Sequence, residues 1–173
     1  MLQARIGNAD AFGELVRRHQ GPVFGVCYRL TGERLEAEDA AQEAFIRAYQ
    51  RLHTFDAGRP FGPWMRRVAA NVCLNRLQAR PPAQVPLDEE RDWQPPNQGG
   101  DPQLAYERRE DRERLREAML ALPPRYRVVL ELRHFQDLSY DEIASALGLP
   151  LSDVKSHLFR ARKQLAARMN ADE

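Results

Sequence analysis

The sequence predicts an all-α protein built as two small helical modules. Apolar residues recur at three- and four-residue spacing in both halves, and no segment alternates with period two over strand length. Six of the 12 prolines fall between Pro81 and Pro102, with Gly99-Gly100 in the same stretch, a composition that neither holds a helix nor buries much. The 173 residues suffice for one ordinary domain or two small ones. The expected organisation is a helical bundle over 1–80, a Pro-rich acidic linker over 81–104, and a second helical module over 105–173.

In the first half, Asn8 is a plausible N-cap with Asp10 in the first turn, followed by Phe12, Leu15, Val16 and His19 at helical spacing. Gly21-Pro22 should kink or restart that helix, and Val23, Phe24, Cys27 and Leu30 continue its apolar stripe. A helix from about Glu36 to Leu52 places Ala37, Ala41, Ala44, Phe45, Ala48 and Leu52 on one side. The stretch 52–63, with Phe55, Gly58, Pro60 and Pro63, is too irregular for helix, and another helix follows Pro63 with Trp64, Val68, Val72 and Leu77 inward.

Beyond the linker, an Arg- and Glu-rich helix spans roughly 105–121, and Leu122-Pro123-Pro124 stops it and starts the next. That next helix should bury Val128, Val129, Leu132 and Phe135. Ser139-Tyr140-Asp141-Glu142 reads as a capping box opening a short helix with Ile143, Ala144 and Leu147 inward. Gly148 ends it, and Val154, Leu158, Ala161 and Leu165 stripe the last helix.

Lys and Arg total 26 against 25 Asp and Glu, so the net charge is only +1, but the charges are segregated. Residues 59–80 carry five arginines and no acid, and 155–168 carry two lysines, three arginines and no acid. Residues 33–56 hold six acids against three bases, and 88–113 hold nine against four. Two basic blocks separated by acidic stretches suggest two anion-binding surfaces. No apolar run is long enough for a membrane span and the N-terminus is not a signal peptide, so the expected compartment is the cytoplasm, with no membrane insertion. Cys27 and Cys73 cannot build a disulfide framework or a metal cage alone; they read as core residues, with a redox role as the alternative. No cofactor is expected, and no phosphate-cradling Gly loop, nucleophile motif or metal-ligand spacing points to an enzyme.

A short capped helix, a Gly turn and a longer basic helix make a helix-turn-helix, with a plain helical hairpin as the alternative. The last helix then enters the major groove, presenting Lys155, Phe159 and Arg162 on one stripe and Ser156, Arg160 and Lys163 on the next. Guanidinium and ammonium groups match phosphates and guanine edges, and an aromatic ring can press on a thymine methyl. Phe159 lies close enough to the seam to be core instead.

The run Leu138-Ser139-Tyr140-Asp141-Glu142-Ile143-Ala144, followed by Val154 through Arg162, resembles the C-terminal DNA-binding domain of bacterial sigma factors of the extracytoplasmic-function group, in the sigma-70 family. Asp39 through Tyr49 resembles the helix by which those factors grip the RNA polymerase clamp. Phe61 through Asn71 resembles their promoter-melting segment. The resemblance implies sigma region 2 over 1–80 and region 4 over 105–173, with core RNA polymerase (clamp and flap), promoter DNA and an anti-sigma factor as partners. It implies a non-enzymatic initiation factor that reads the −35 element as duplex and the −10 element as melted single strand.

Asp39, Gln42, Glu43 and Ile46 share one helix flank and offer a carboxylate, an amide and an apolar contact to a protein partner. For the single strand, Arg51, Phe55, Arg59, Phe61, Arg66, Arg67, Asn71, Asn75 and Arg76 combine rings to stack, amides to read base edges and arginines to hold phosphates. Asn71 matches the family residue lining a flipped-base pocket, and Trp64 reads as core or as a stacking platform. The pattern departs from the family at Leu151-Ser152-Asp153, where a Gly-Thr pair is common, at His157, often arginine, and at Asn75, often aspartate. Asp153 complements the helix dipole but repels a nearby phosphate. The rival reading is a dimeric helix-turn-helix regulator acting without polymerase.

Overall fold

The computed structural model describes residues 9–80 and 102–170, with side chains described from 109 onward in the second stretch. The Asn8 cap and the 81–101 part of the linker, including Asp88, Glu89, Glu90 and Asp92, lie outside the described residues. All regular structure among the described residues is helical: α1 (Ala9–Thr31), α2 (Arg34–Gln50), a 3-10 turn (Leu52–Thr54), α3 (Phe61–Ala79), α4 (Pro102–Leu120), α5 (Pro124–Leu130) running into a π turn (Glu131–Phe135), α6 (Tyr140–Leu147) and α7 (Leu151–Met169).

Helix α1 runs unbroken across Gly21-Pro22, so the expected restart does not occur. Proline removes one intrahelical hydrogen bond, but Val23, Val26, Cys27 and Leu30 just beyond it are all fully buried. Their burial against α2 and α3 holds the helical path where local propensity alone would not. The α1–α2 turn closes on Gly32, whose φ of +81° and whose missing Cβ are both required, because a Cβ there would meet Leu120 Cδ1 at 2.7 Å. Helix α2 buries Ala37, Ala41, Ala44, Phe45 and Ala48 as its periodicity predicts. Small residues let α1 and α3 approach it closely.

Helix α3 starts at Phe61, three residues earlier than expected, with Pro60 at its N-cap. Pro63 fits inside the first turn because its missing N–H would have no intrahelical partner there. Cys27 and Cys73 are free, buried thiols. Contact with Cys27 and burial push the Cys73 thiol well up, which makes it a core residue rather than a nucleophile.

The C-terminal half departs from expectation in two places. Helix α4 begins at Pro102, so 102–104 are helical rather than linker, a position in the first turn that suits proline. Phe135 is 47% exposed instead of buried. The π turn inserts an extra residue per turn, which rotates Phe135 off the stripe that carries Val128, Val129 and Leu132 inward.

The two halves touch. Buried residues of α1–α3 and of α4–α7 form one continuous apolar cluster. Arg127, 2% exposed, donates to the carbonyls of Leu30, Leu120 and Leu122, joining the end of α1 to the end of α4. Burial pulls its guanidinium down to about 10, with Glu36 nearby opposing the shift. Arg116 donates to the Gly32 carbonyl at 2.7 Å and to the Tyr28 hydroxyl at 3.1 Å.

Candidate functional site

Three surfaces carry the residues singled out in sequence. The first is the α6–α7 unit. The Ser139 amide donates to Glu142 Oε2 at 2.9 Å and the Glu142 amide donates to Ser139 Oγ at 3.3 Å, completing the capping box. The Ser139 amide and then the Ser139 hydroxyl, both donating to Glu142 Oε2, hold the Glu142 carboxyl below the usual carboxylate range. Gly148, at φ +64°, caps α6 in the left-handed region and donates to the Ala144 carbonyl. Val154, Leu158 and Ala161 then bury the inner seam of α7.

The outer face of α7 is open. Phe159 is 69% exposed, which removes the core alternative, and Lys155, Arg160, Arg162 and Lys163 are exposed around it. Ser156 is half-buried. Tyr140, Lys155, Leu158, Phe159, Arg162 and Lys163 line one shallow groove. His157 turns inward instead, its ring 5.6 Å from that of Tyr126. Burial and then Arg125 hold its imidazole below the ordinary value. Asp153 sits exposed in the first turn, where Ser152 Oγ donates to it at 3.3 Å.

The second surface is α3 and the loop before it. Phe55 and Phe61 are 3% and 5% exposed, packed edge-on to each other with ring centroids 5.8 Å apart. Trp64 joins them at 4.9 and 5.5 Å and stays half-buried. The two phenylalanines expected to stack on bases are therefore the loop's own core. Apolar rings so close in sequence bury one another before they face solvent. Arg51 and Arg59 are exposed, Arg59 beside Asp56, and Asn75 is exposed.

Arg66, Arg67 and Asn71 lie together on α3 and face the other half of the chain. Arg66 Nε donates to Gln136 Oε1, Arg67 Nη2 stands 3.8 Å from Glu142 Oε1, and Asn71 Nδ2 donates to the Ala146 carbonyl. Burial, then the neighbouring Arg29, lower the Arg66 guanidinium, with Glu131 opposing. Arg76 does not join them. It donates to Glu43 at 2.9 Å and stands 3.9 Å from Asp39, so it belongs to the acidic flank of α2. That placement corrects its grouping with the strand-binding residues.

The third surface is that flank. Asp39 and Gln42 are exposed and Ile46 is 52% exposed, while Glu43 is held between Arg76 and Arg47. The hydrogen bond from Arg76 keeps the Glu43 carboxyl low despite partial burial. Gln42 and Ile46 edge an open, mostly apolar groove of about 1000 Å³ between α1 and α2, lined also by Phe12, Val16, Phe24 and Tyr49. Sequence reasoning missed this groove, having read Phe12 and Val16 only as part of a helical apolar stripe. The signal was there in part: the exposed faces of Ile46 and Tyr49 sit three residues apart, on one side of a helix. Among the described residues, no helix is long and apolar enough to cross a membrane, and no three His, Cys, Asp or Glu side chains gather as metal ligands do.

Comparison with known proteins matches these halves separately. Residues 15–80 match the family model for Sigma-70 region 2, and residues 112–165 match that for Sigma-70, region 4. The chain is 35% identical over 170 residues to the ECF RNA polymerase sigma factor SigW of Bacillus subtilis, covering 94% of this chain and 91% of that protein. Its fold is similar to that of CnrH, solved in complex with the cytosolic domain of CnrY, with a TM-score of 0.66, 26% identity and coverage of 99% and 96%. It is similar in fold alone to the sigma factor RpoE of Bartonella quintana, solved with the anti-sigma factor NepR, with a TM-score of 0.66, 18% identity and coverage of 95% and 100%.

Proposed function

The chain belongs to the sigma-70 family of RNA polymerase sigma factors, in its extracytoplasmic-function group, and we propose that its three surfaces divide the work of promoter recognition. As a sigma factor it is a non-enzymatic initiation factor that directs RNA polymerase to promoters. The α7 face reads the −35 element as duplex. Arg162 and Phe159 reach base edges, and Lys155, Arg160 and Lys163 meet phosphates. The α3 face holds the −10 element as a melted strand, with Asn71 on a base edge and Arg66 and Arg67 on phosphates. The α1–α2 groove takes the polymerase clamp, with Gln42, Ile46 and Tyr49 as contacts and Asp39 and Glu43 as its acidic border. The boundaries 1–80 and 105–173 separate these roles, with the acidic linker between them and Pro102 already in the second helical unit.

The observation that carries this reading is Phe159: a phenylalanine 69% exposed, ringed by Lys155, Arg162 and Lys163, on a helix whose cap and seam are fully built. An exposed large aromatic with no ring partner among the described residues, set among cations, fits a thymine methyl and its flanking phosphates. An anti-sigma factor that covers one of these faces is the natural inhibitor, as NepR is the anti-sigma partner in the solved RpoE complex.

Run-off transcription with purified core polymerase and a promoter library tests the reading. Ile46→Asp should abolish promoter-specific product by blocking assembly with core. Arg162→Ala should shift or relax the preferred −35 sequence while assembly stays normal. Promoter-specific transcription that survives Ile46→Asp at full level refutes the clamp assignment.

A further inference from the structure

Helix α7 has two flanks, and Phe159 marks only one of them. On that side, toward α6, lies the groove of Tyr140, Lys155, Phe159, Arg162 and Lys163. Arg160 stands about 100° round the helix from Phe159, on the side where α7 meets α5. The meeting point is Tyr126. Its side chain is buried, with the Arg125 guanidinium 5.2 Å from the ring centroid and the His157 ring 5.6 Å away. Arg160 of α7 and Arg125 of α5 both come within hydrogen-bonding reach of the Tyr126 hydroxyl. Both arginines are exposed, and neither is ion-paired with a carboxylate among the described residues.

Two guanidinium groups repel one another, and a neutral hydroxyl can accept from both yet neutralises neither. Their joint field acts on the phenol itself. The hydrogen bond from Arg160 first, with Arg125 adding to it, holds the Tyr126 hydroxyl below its ordinary value. Such a pair is arranged for a ligand that supplies the missing negative charge. A phosphate diester has two unesterified oxygens and can offer one to each guanidinium. An arginine already held on a hydroxyl also loses less freedom when it binds. His157 supports the Tyr126 ring from α7, and its Nδ1 is buried without a hydrogen-bond partner, so its contribution there is packing. Asp153, two turns before Arg160 on the same flank, is the acid that borders the cluster.

We propose that Arg125 and Arg160, brought together on the Tyr126 hydroxyl, clasp a single backbone phosphate of duplex DNA, so that α5 holds the promoter alongside α7. Tyr126 is then a positioning residue, acting through the two arginines without touching DNA itself. The inference rests on α7 as the duplex-reading helix. It adds a grip on the flank away from Phe159 that fixes the helix on the backbone and carries no base preference.

The test measures binding of the full chain to a fluorescein-labelled pool of random double-stranded DNA, by anisotropy over a salt series. Arg125→Ala, at an exposed side chain, should weaken binding, and wild-type affinity for that variant overturns the clasp. Arg125→Ala combined with Arg160→Ala should flatten the slope of log K against log salt by about 0.9, the share of one duplex phosphate. A slope lowered by about 1.8 means two separate phosphates and overturns the sharing. Tyr126→Phe keeps the ring and removes only the oxygen. It should weaken binding roughly two- to tenfold in the wild-type chain, and not at all once both arginines are alanine. A Tyr126→Phe loss that persists in the double variant shows a merely structural tyrosine and overturns its positioning role. Lys163→Ala separates this inference from the reading beneath it. Where Lys163→Ala weakens binding and the Arg125 and Tyr126 variants do not, the clasp falls while α7 still reads duplex. Where none of these variants weakens binding, α7 is not the duplex-reading helix and the clasp falls with it.

Discussion

Arg76 of α3 donates to Glu43 of α2 at 2.9 Å, joining a basic block and an acidic block that the sequence presents as separate surfaces. The pairing raises the Arg76 guanidinium and lowers the Glu43 carboxyl, each stabilising the other's charge. A cation so engaged is not free for a DNA phosphate.

Arg76→Ala should therefore leave the salt dependence of single-strand binding unchanged in a protein whose α3 face is open. Arg67→Ala in the same background should flatten the slope of log K against log salt by roughly 0.7, the share of one single-strand phosphate. Anisotropy titrations over a salt series check both, and a flattened slope for Arg76→Ala returns that residue to the strand.

Neighbours on α7 should respond in opposite ways. Leu158→Ala empties a side chain 1% exposed and should cost about 2–5 kcal/mol of stability. Phe159→Ala should leave chemical denaturation curves within about 0.5 kcal/mol of wild type, yet weaken binding to a −35 duplex by roughly 1–3 kcal/mol. A large stability loss for Phe159→Ala contradicts its exposure.

Two glycines with positive φ should differ in their tolerance of alanine. At Gly148 a Cβ meets nothing within 4 Å, so Gly148→Ala pays only the left-handed backbone, about 1–2 kcal/mol. At Gly32 the same strain is joined by a clash with Leu120, which pushes the halves apart. Gly32→Ala should lower the melting temperature more and also expand the molecule in scattering, whereas Gly148→Ala should not change its size.

Acid should weaken the fold near neutrality. His19, His134 and His157 all lie below their ordinary value of 6.5, in each case first through burial and then through nearby arginines: Arg66 for His19, Arg162 for His134, Arg125 for His157. The unfolded chain then binds more protons than the folded one between the lowered values and 6.5. Stability is fully present above 6.5 and falls as pH drops through that window. Melting temperatures measured from pH 7.5 to 5 should decline, and His157→Gln should make the decline shallower. A melting temperature that rises on acidification rules out this origin.

Local pattern carried much of the architecture. The capping box at Ser139 and Glu142, the Gly148 stop, the Val154–Leu158–Ala161 seam and the alanine face of α2 each depend on residues within about four positions of one another, and all are legible as spacing. That Asp39, Gln42 and Ile46 share one flank of α2, and Lys155, Phe159 and Arg162 one face of α7, was legible for the same reason, since one helix puts them side by side.

Tertiary structure alone decided the rest. Asn71 meets a carbonyl 75 residues away, Arg29 meets a carboxylate 102 residues away, and Arg76 chooses between two faces of its own helix according to what α2 brings near. Helix α1 crosses Pro22 intact because its neighbours bury the residues that follow, and Phe135 leaves the core because a π turn shifts its register. Sequence fixes the period of each helix through short-range backbone hydrogen bonding. Which flank of that helix becomes core, interface or open surface depends on desolvation and charge pairing with partners that only the folded chain brings together.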